Sequence, residues 1–145
     1  KGKEDGIMKS QKILLTWLIE DASIFRQIEP YITPSDFSGD LYRTVAALLY
    51  EQYQAGDVNP AKIINHFTDE EEHREVSSLF HTKIRELTTV KEQEKALKET
   101  VLRVKSHSIE EATRNLDPTD MLGLQRLMEV KSKMQDIQKL HISVN

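Results

Sequence analysis

The side chains best able to do chemistry are five histidines and one run of four acids, and neither group is spaced for a metal or a proton transfer. His66, His73 and His81 lie seven and eight residues apart. Two ligands on one helical face recur three or four apart, as in HExxH, a pattern this chain lacks. His73 sits in EEEHRE, where Asp69 four residues earlier can pair with it, so the segment reads as a solvated helix face beside a cap. His107 and His141 have no companions and read as surface residues. The acids DEEE at 69–72 fall on consecutive helical positions and splay around the axis. A Mg²⁺ site needs carboxylates converging from separate elements, so this run reads as capping. The five glycines never cluster into a phosphate loop, and no Ser or Thr stands in a nucleophile elbow. With no cysteine there is neither a disulfide nor a thiolate site, which fits a cytoplasmic protein. The expectation is that this chain catalyses nothing and holds no metal or cofactor.

Composition narrows the class further. The chain has 145 residues, enough for one domain or two small subdomains, and its net charge is −4. Residues 1–82 carry 8 Lys/Arg against 14 Asp/Glu, whereas residues 83–145 carry 12 against 10, so two electrostatically distinct regions are expected. The acidic balance argues against direct nucleic-acid binding, which needs clustered Lys and Arg. No run reaches the ~18–20 apolar residues of a membrane span, and no signal-peptide pattern is present. The chain opens on Lys1 without Met and runs through KGKEDG, so residues 1–8 are expected to be a linker or a remnant at the edge of a longer protein.

The elements that must position any site all read as helix. QKILLTWLIE is apolar nearly all round, with Ile13, Leu14, Trp17 and Leu18, as suits a buried bundle helix. ASIFRQI follows, ending before Pro30. Thr33-Pro34-Ser35-Asp36 is a helix start with a Thr cap, Pro at the first position and an acid at the third. Ser38 or Asp40 can cap the next helix, whose Leu41, Tyr42, Val45, Leu49 and Tyr53 recur at helical spacing until Gly56 ends it. Asn59-Pro60 opens a helix with Ile63, Ile64 and Phe67 inward. Thr68 to Glu71 is a capping box for the helix carrying Val76, Leu79 and Phe80. Trp17, Phe37, Tyr42, Leu49, Ile64, Phe67 and Phe80 are expected in its core.

The second region differs. From about Lys83 to Asn115 there is no Pro or Gly. A second box, Thr89 to Glu92, opens a charged helix with a narrow stripe of Val90, Leu97, Val101 and Val104, and SHS at 106–108 is a place where it could bend. Asp117-Pro118 starts a final helix over 118–141, whose Leu127, Val130, Met134 and Ile137 alternate by three and four like a coiled-coil seam. The fold class is therefore all-α: a compact multi-helix bundle over 9–89, followed by a C-terminal antiparallel helical hairpin over 90–145 as its own subdomain. Deleting the hairpin is expected to leave a folded bundle.

What remains for function is a surface. Met121, Met128 and Met134 lie in the last helix with Leu122, Leu124, Leu127 and Leu140, more apolar surface than one partner helix covers. Met is pliable and common where proteins meet. Part of this excess is expected to be exposed. Met121, Leu124 and Met128 are assigned as apolar anchors, with Gln135, Gln138, Lys139 and His141 as polar contacts near a free helix end.

A resemblance supplies a candidate partner. ILLTWLIEDASIF, IEPYITPSDFSGDLYRTVAALL and NPAKIINHFTDEEEHREVSSLF together resemble the C-terminal domain of DnaG-type bacterial primases. The likeness lies in residues 10–82; the hairpin agrees in layout rather than in signature residues. It implies a helical bundle and hairpin that bind the N-terminal collar of the hexameric replicative helicase in the bacterial cytoplasm, coupling primer synthesis to unwinding. The parent would then be an enzyme, and this portion its docking module. PSDF followed by LYRTVAALLYEQYQAG also resembles the N-terminal collar domain of the helicase itself, which stands as the alternative.

Overall fold

The computed structural model describes residues 2–82 and 89–144, with side chains from Ile7 onward. Among these residues it is all-helical, with seven α-helices and one 3₁₀ turn. Helix α1 (Gly2–Glu20) is the axis of the molecule, touched by α2 (Ala22–Ile28), α3 (Asp40–Ala55), α5 (Glu70–His81) and α6 (Val90–Arg114). The run of burial in its second half follows from that position: Leu14, Leu15 and Leu18 are fully buried and Trp17 nearly so. Residues 2–8, expected to be a linker or remnant, are instead the first two turns of α1, with Ile7 buried.

Local punctuation mostly falls where the sequence puts it, with small shifts. Asp21 caps α2 by accepting the Ser23 N–H. Gly56 ends α3 at φ 74°, a left-handed conformation that favours glycine. Asn59 caps α4 (Pro60–His66) by accepting the Lys62 N–H. The cap of α5 is Asp69, which accepts the Glu72 N–H; Asp sits one residue closer than Thr68 and brings a carboxylate to the positive end of the helix. Neither Ser38 nor Asp40 caps α3. Gly39 holds that position at φ 90°, while the Asp40 carboxylate turns to Arg43 at 3.0 Å. The Ser38 backbone is held instead by Gln11, a fully buried side chain whose amide donates to the Ser38 carbonyl and accepts its N–H. Gln52 clasps Asn59 in the same two-point way.

Of the predicted core, Trp17, Phe37, Tyr42, Leu49 and Phe67 are buried, whereas Ile64 and Phe80 are only half-buried and pack on its edge. Phe25 stacks on Tyr53 at 4.3 Å and meets the edge of Tyr50 at 4.8 Å. Burial, and after it the nearby Asp36 carboxylate, raises the Tyr50 phenol well above its ordinary pKa, and its hydroxyl donates to the Ile32 carbonyl at 2.6 Å. Phe67 closes α4 against this core. Phe67→Ala is expected to lower stability by about 3 kcal/mol, near the bottom of the range for a buried Phe. Urea denaturation checks it; a loss below about 1 kcal/mol would place Phe67 outside the packed core.

The largest departure concerns the hairpin. Thr89 caps α6 by accepting the Glu92 N–H, and α6 runs unbroken through Ser106–Ser108. The expected helical stretch at 83–88 lies outside the described residues. Pro118 does not start the last helix. Asp117 accepts the Thr119 N–H and hydroxyl in a tight turn, which holds its carboxyl below the usual range, and α7 (Met121–Lys139) begins three residues later with Asp120 as its cap. Helices α6 and α7 run antiparallel: Lys98 donates to the Gln138 carbonyl at one end, and Leu116 and Gly123 lie together at the other. They are not a separate subdomain. Leu97, Val101 and Val104 are buried, and α6 packs on α1 more extensively than any other pair of elements packs together. One core spans 14–144.

The chain's end is likewise not free. After α7, residues 140–144 run extended, with Ile142 and Val144 in the core. Gln27 clasps the Ser143 N–H and carbonyl, and Glu94 accepts the Val144 N–H at 2.8 Å. No helix among the described residues is long and apolar enough to cross a membrane.

Candidate protein-docking surface

Helix α7 has two faces. Leu127 and Ile137 are buried, with Gly123, Val130 and Met134 half-buried beside them, so the predicted seam does face inward. Gly123 sits where α6 ends: a Cβ there would come within 2.9 Å of a Leu116 methyl and 2.5 Å of Asp120 Oδ2. The outward face carries the residues assigned as contacts. Met121 is 68 %, Leu124 38 % and Met128 62 % exposed, and Leu122 beside them is 66 % exposed. Seven large apolar side chains stand out to solvent among the described residues, and four are these.

Gln135, Gln138 and Lys139 are also exposed on α7, and His141 just beyond it. Leu124, Met128, Gln135 and Lys139 follow one another at steps of four, seven and four residues, the spacing of one helical stripe. The apolar and polar groups nevertheless lie at opposite ends: at 1.5 Å per residue, Leu124 and Lys139 are ~22 Å apart along the axis. The polar end is the tethered one. Gln138 gives its carbonyl to Lys98, and His141 Nε2 lies 3.8 Å from Glu94. The projecting end of the hairpin is the α6–α7 turn, where residues 113–122 are exposed except for half-buried Leu116, next to the apolar group. Sequence reasoning put the free end at the wrong terminus because it missed the burial of Ile142 and Val144. The signal was present: Leu140, Ile142 and Val144 alternate with polar residues at period two, the pattern of an extended half-buried segment.

A cleft of about 440 Å³ opens on the flank of α7, between α6, α7 and the corner 30–36. Its walls are mainly apolar, from Tyr31, Ile109, Leu116 and Val130. At its base Asp36 and Lys105, both nearly buried, form an ion pair at 3.1 Å. Ser108 donates to the same carboxylate at 2.7 Å and the Thr33 N–H at 2.8 Å. This network fixes the 3₁₀ turn Pro34–Asp36 against α6, and sequence reasoning did not find it, because residues 69 apart pair only through the fold.

Several other polar residues have structural roles. The Tyr42 hydroxyl donates to Glu75 at 2.8 Å. His73 and His81 lie along one shallow depression of α5, and His66 stands edge-on to Phe67. The Asp69 carboxylate caps α5 rather than pairing with His73. His107 Nδ1 lies 3.1 Å from Glu111 but out of hydrogen-bond alignment. Among the described residues no three His, Asp or Glu side chains converge where a metal could sit. What the arrangement offers is apolar contact on a projecting helix end, flanked by a cleft. No family model, no curated protein and no solved structure matches this chain.

Proposed function

We propose that this chain is a protein-docking module of the bacterial primase type, which grips the N-terminal collar of the hexameric replicative helicase at the replication fork and so couples primer synthesis to unwinding. The reading rests on the resemblance of residues 10–82. One structural observation supports it above others: Met121, Leu122, Leu124 and Met128 gather, exposed, at the projecting end of the hairpin. Exposed large apolar side chains cost solubility, and a cluster of them marks a contact surface more often than chance. A few such anchors typically hold most of an interface's energy. The bundle then serves as the rigid mount for α7.

Binding of the fragment to the cognate helicase collar, followed by fluorescence anisotropy, tests this. The double change Leu124→Ala and Met128→Ala should weaken binding at least tenfold, more than any single change among Gln135, Gln138, Lys139 and His141. Met128 is 62 % and Leu124 38 % exposed and neither belongs to the core, hence helicity and the urea midpoint should stay near wild type. An unaltered affinity would remove the outward face of α7 from the interface. Failure of the unmodified fragment to bind the collar would overturn the assignment itself.

A further inference from the structure

We infer that the flank cleft is a socket for a partner helix that presents a large apolar side chain beside carboxylates, so that the docking surface is a ridge and a socket rather than a ridge alone. The inference rests on the reading of α7 as the grip. Three observations carry it. The cleft is open and apolar-walled, yet its base is rigid, because the buried carboxylate of Asp36 is already satisfied by Lys105, Ser108 and Thr33. A ligand would gain contact with the walls without having to supply a charge for the base.

Two cations, Arg126 and Lys133, stand on the α7 wall of the cleft, both exposed and neither paired with another described residue. They are seven residues apart, so they lie on one helical face ~10 Å from each other. Among the described residues that line the cleft, Asp36 is the only acid and Lys105 balances it, so Arg126 and Lys133 give the rim a net positive charge. Glu129, three residues after Arg126 and four before Lys133, is exposed on the same flank of α7 without lining the cleft, so it offsets one of the two cations and leaves the other in excess. Such a rim favours an acidic partner and disfavours a basic one.

The third observation is continuity. Leu122 and Arg126 are one turn apart, so the exposed apolar group runs over into the mouth of the cleft. A helix laid along this flank would meet Met121 and Leu122 with one part of its apolar face and drop a side chain into the socket with the next. Recognition of this kind places anchors at i, i+3 or i+4 and i+7 of the incoming helix.

The test uses the fragment and the purified collar of the cognate helicase. Ala112 lines the cleft and is itself exposed, so Ala112→Trp fills the socket from outside the core. It should weaken binding at least tenfold with the urea midpoint unchanged. The pair Arg126→Glu and Lys133→Glu should weaken binding at least tenfold at 50 mM salt and only about two- to threefold at 500 mM, since exposed charges are screened at high salt. If the unmodified fragment binds and both variants bind within twofold of it, the socket is empty in the complex and the inference falls while the α7 reading stands. If Ala112→Trp alone loses its fold, the charge-reversal pair and its salt dependence decide by the same threshold. If the unmodified fragment does not bind the collar, both fall together.

Discussion

Deletion of residues 90–145 is expected to leave the remaining helices unfolded. The chain ending at Thr89 should show little cooperative melting, with helicity well below that of its share in residues 1–145. The reason is the seat of α6. Leu97, Val101 and Val104 lie against α1, and Ile137, Ile142 and Val144 complete the same core. Burying one such side chain is worth ~1.5–3 kcal/mol, so losing six removes roughly 9–18 kcal/mol of burial. A domain's whole net stability is about 5–15 kcal/mol. The helices left behind would also expose the side of α1 that packs on α6, where Ser10, which accepts from Arg103, brings only a single hydroxyl to water. A sharp, two-state thermal transition for residues 1–89 would show instead that α1 to α5 hold a core of their own. The practical consequence is that truncation cannot map the partner site, because a lost interaction would report a lost fold. Surface changes on α7 can.

The sequence allowed the helices, and most of their ends, to be read because those signals are local. Asn59-Pro60, Gly56 and Thr89 act through backbone groups within a few residues of themselves, and all three do what their types dictate. Where reading slipped, two local signals competed. Thr68 and Asp69 can each cap the same helix, and the carboxylate won. Pro118 can open a helix, but Asp117 drew Thr119 into a turn first, so Asp120 became the cap.

Non-local facts were out of reach. Gln11, Gln27 and Gln52 look like ordinary polar helix residues, yet each clasps the two backbone groups of one residue in another segment. Nothing in their neighbours announces it. The independence of the hairpin was overestimated for a related reason. Its stripe of Leu97, Val101 and Val104 is narrow, as in a two-helix seam, but α1 packs along α6 and takes up that stripe. Two faces that complement each other across 80 residues leave no mark in either sequence alone. For the candidate surface, the apolar excess of α7 was readable from composition, and periodicity assigned Leu127, Val130 and Ile137 inward. The end from which the surface projects depended on the last five residues, whose alternation was overridden by an assumed continuation of the helix.

Breaking the Asp36–Lys105 pair from one side should destabilise the fold more than removing it entirely. Asp36 holds four groups at once: the Lys105 ammonium, the Ser108 hydroxyl, and the N–H and, more distantly, the hydroxyl of Thr33. Both charges are nearly out of water. Taking one partner away leaves the other charge buried and unpaired, a loss of about 3–5 kcal/mol for such pairs. Lys105→Met is the cleaner single change, since it keeps the stem's packing and removes only the ammonium. Asp36→Leu does the reverse and also strands the Thr33 N–H, an additional ~1 kcal/mol or more. The double variant carries no buried charge, so it should lie above both single variants, with a coupling of about 2 kcal/mol or more in a urea-denaturation cycle. Additive losses would mean that water reaches the pair and that each charge is solvated independently. The cycle also bears on docking, because this pair fixes the corner 30–36 against α6 and so sets the width of the cleft. In the double variant the fold should persist while the corner loses its polar tie. Affinity for the collar should then fall, although no residue of the α7 outward face has changed.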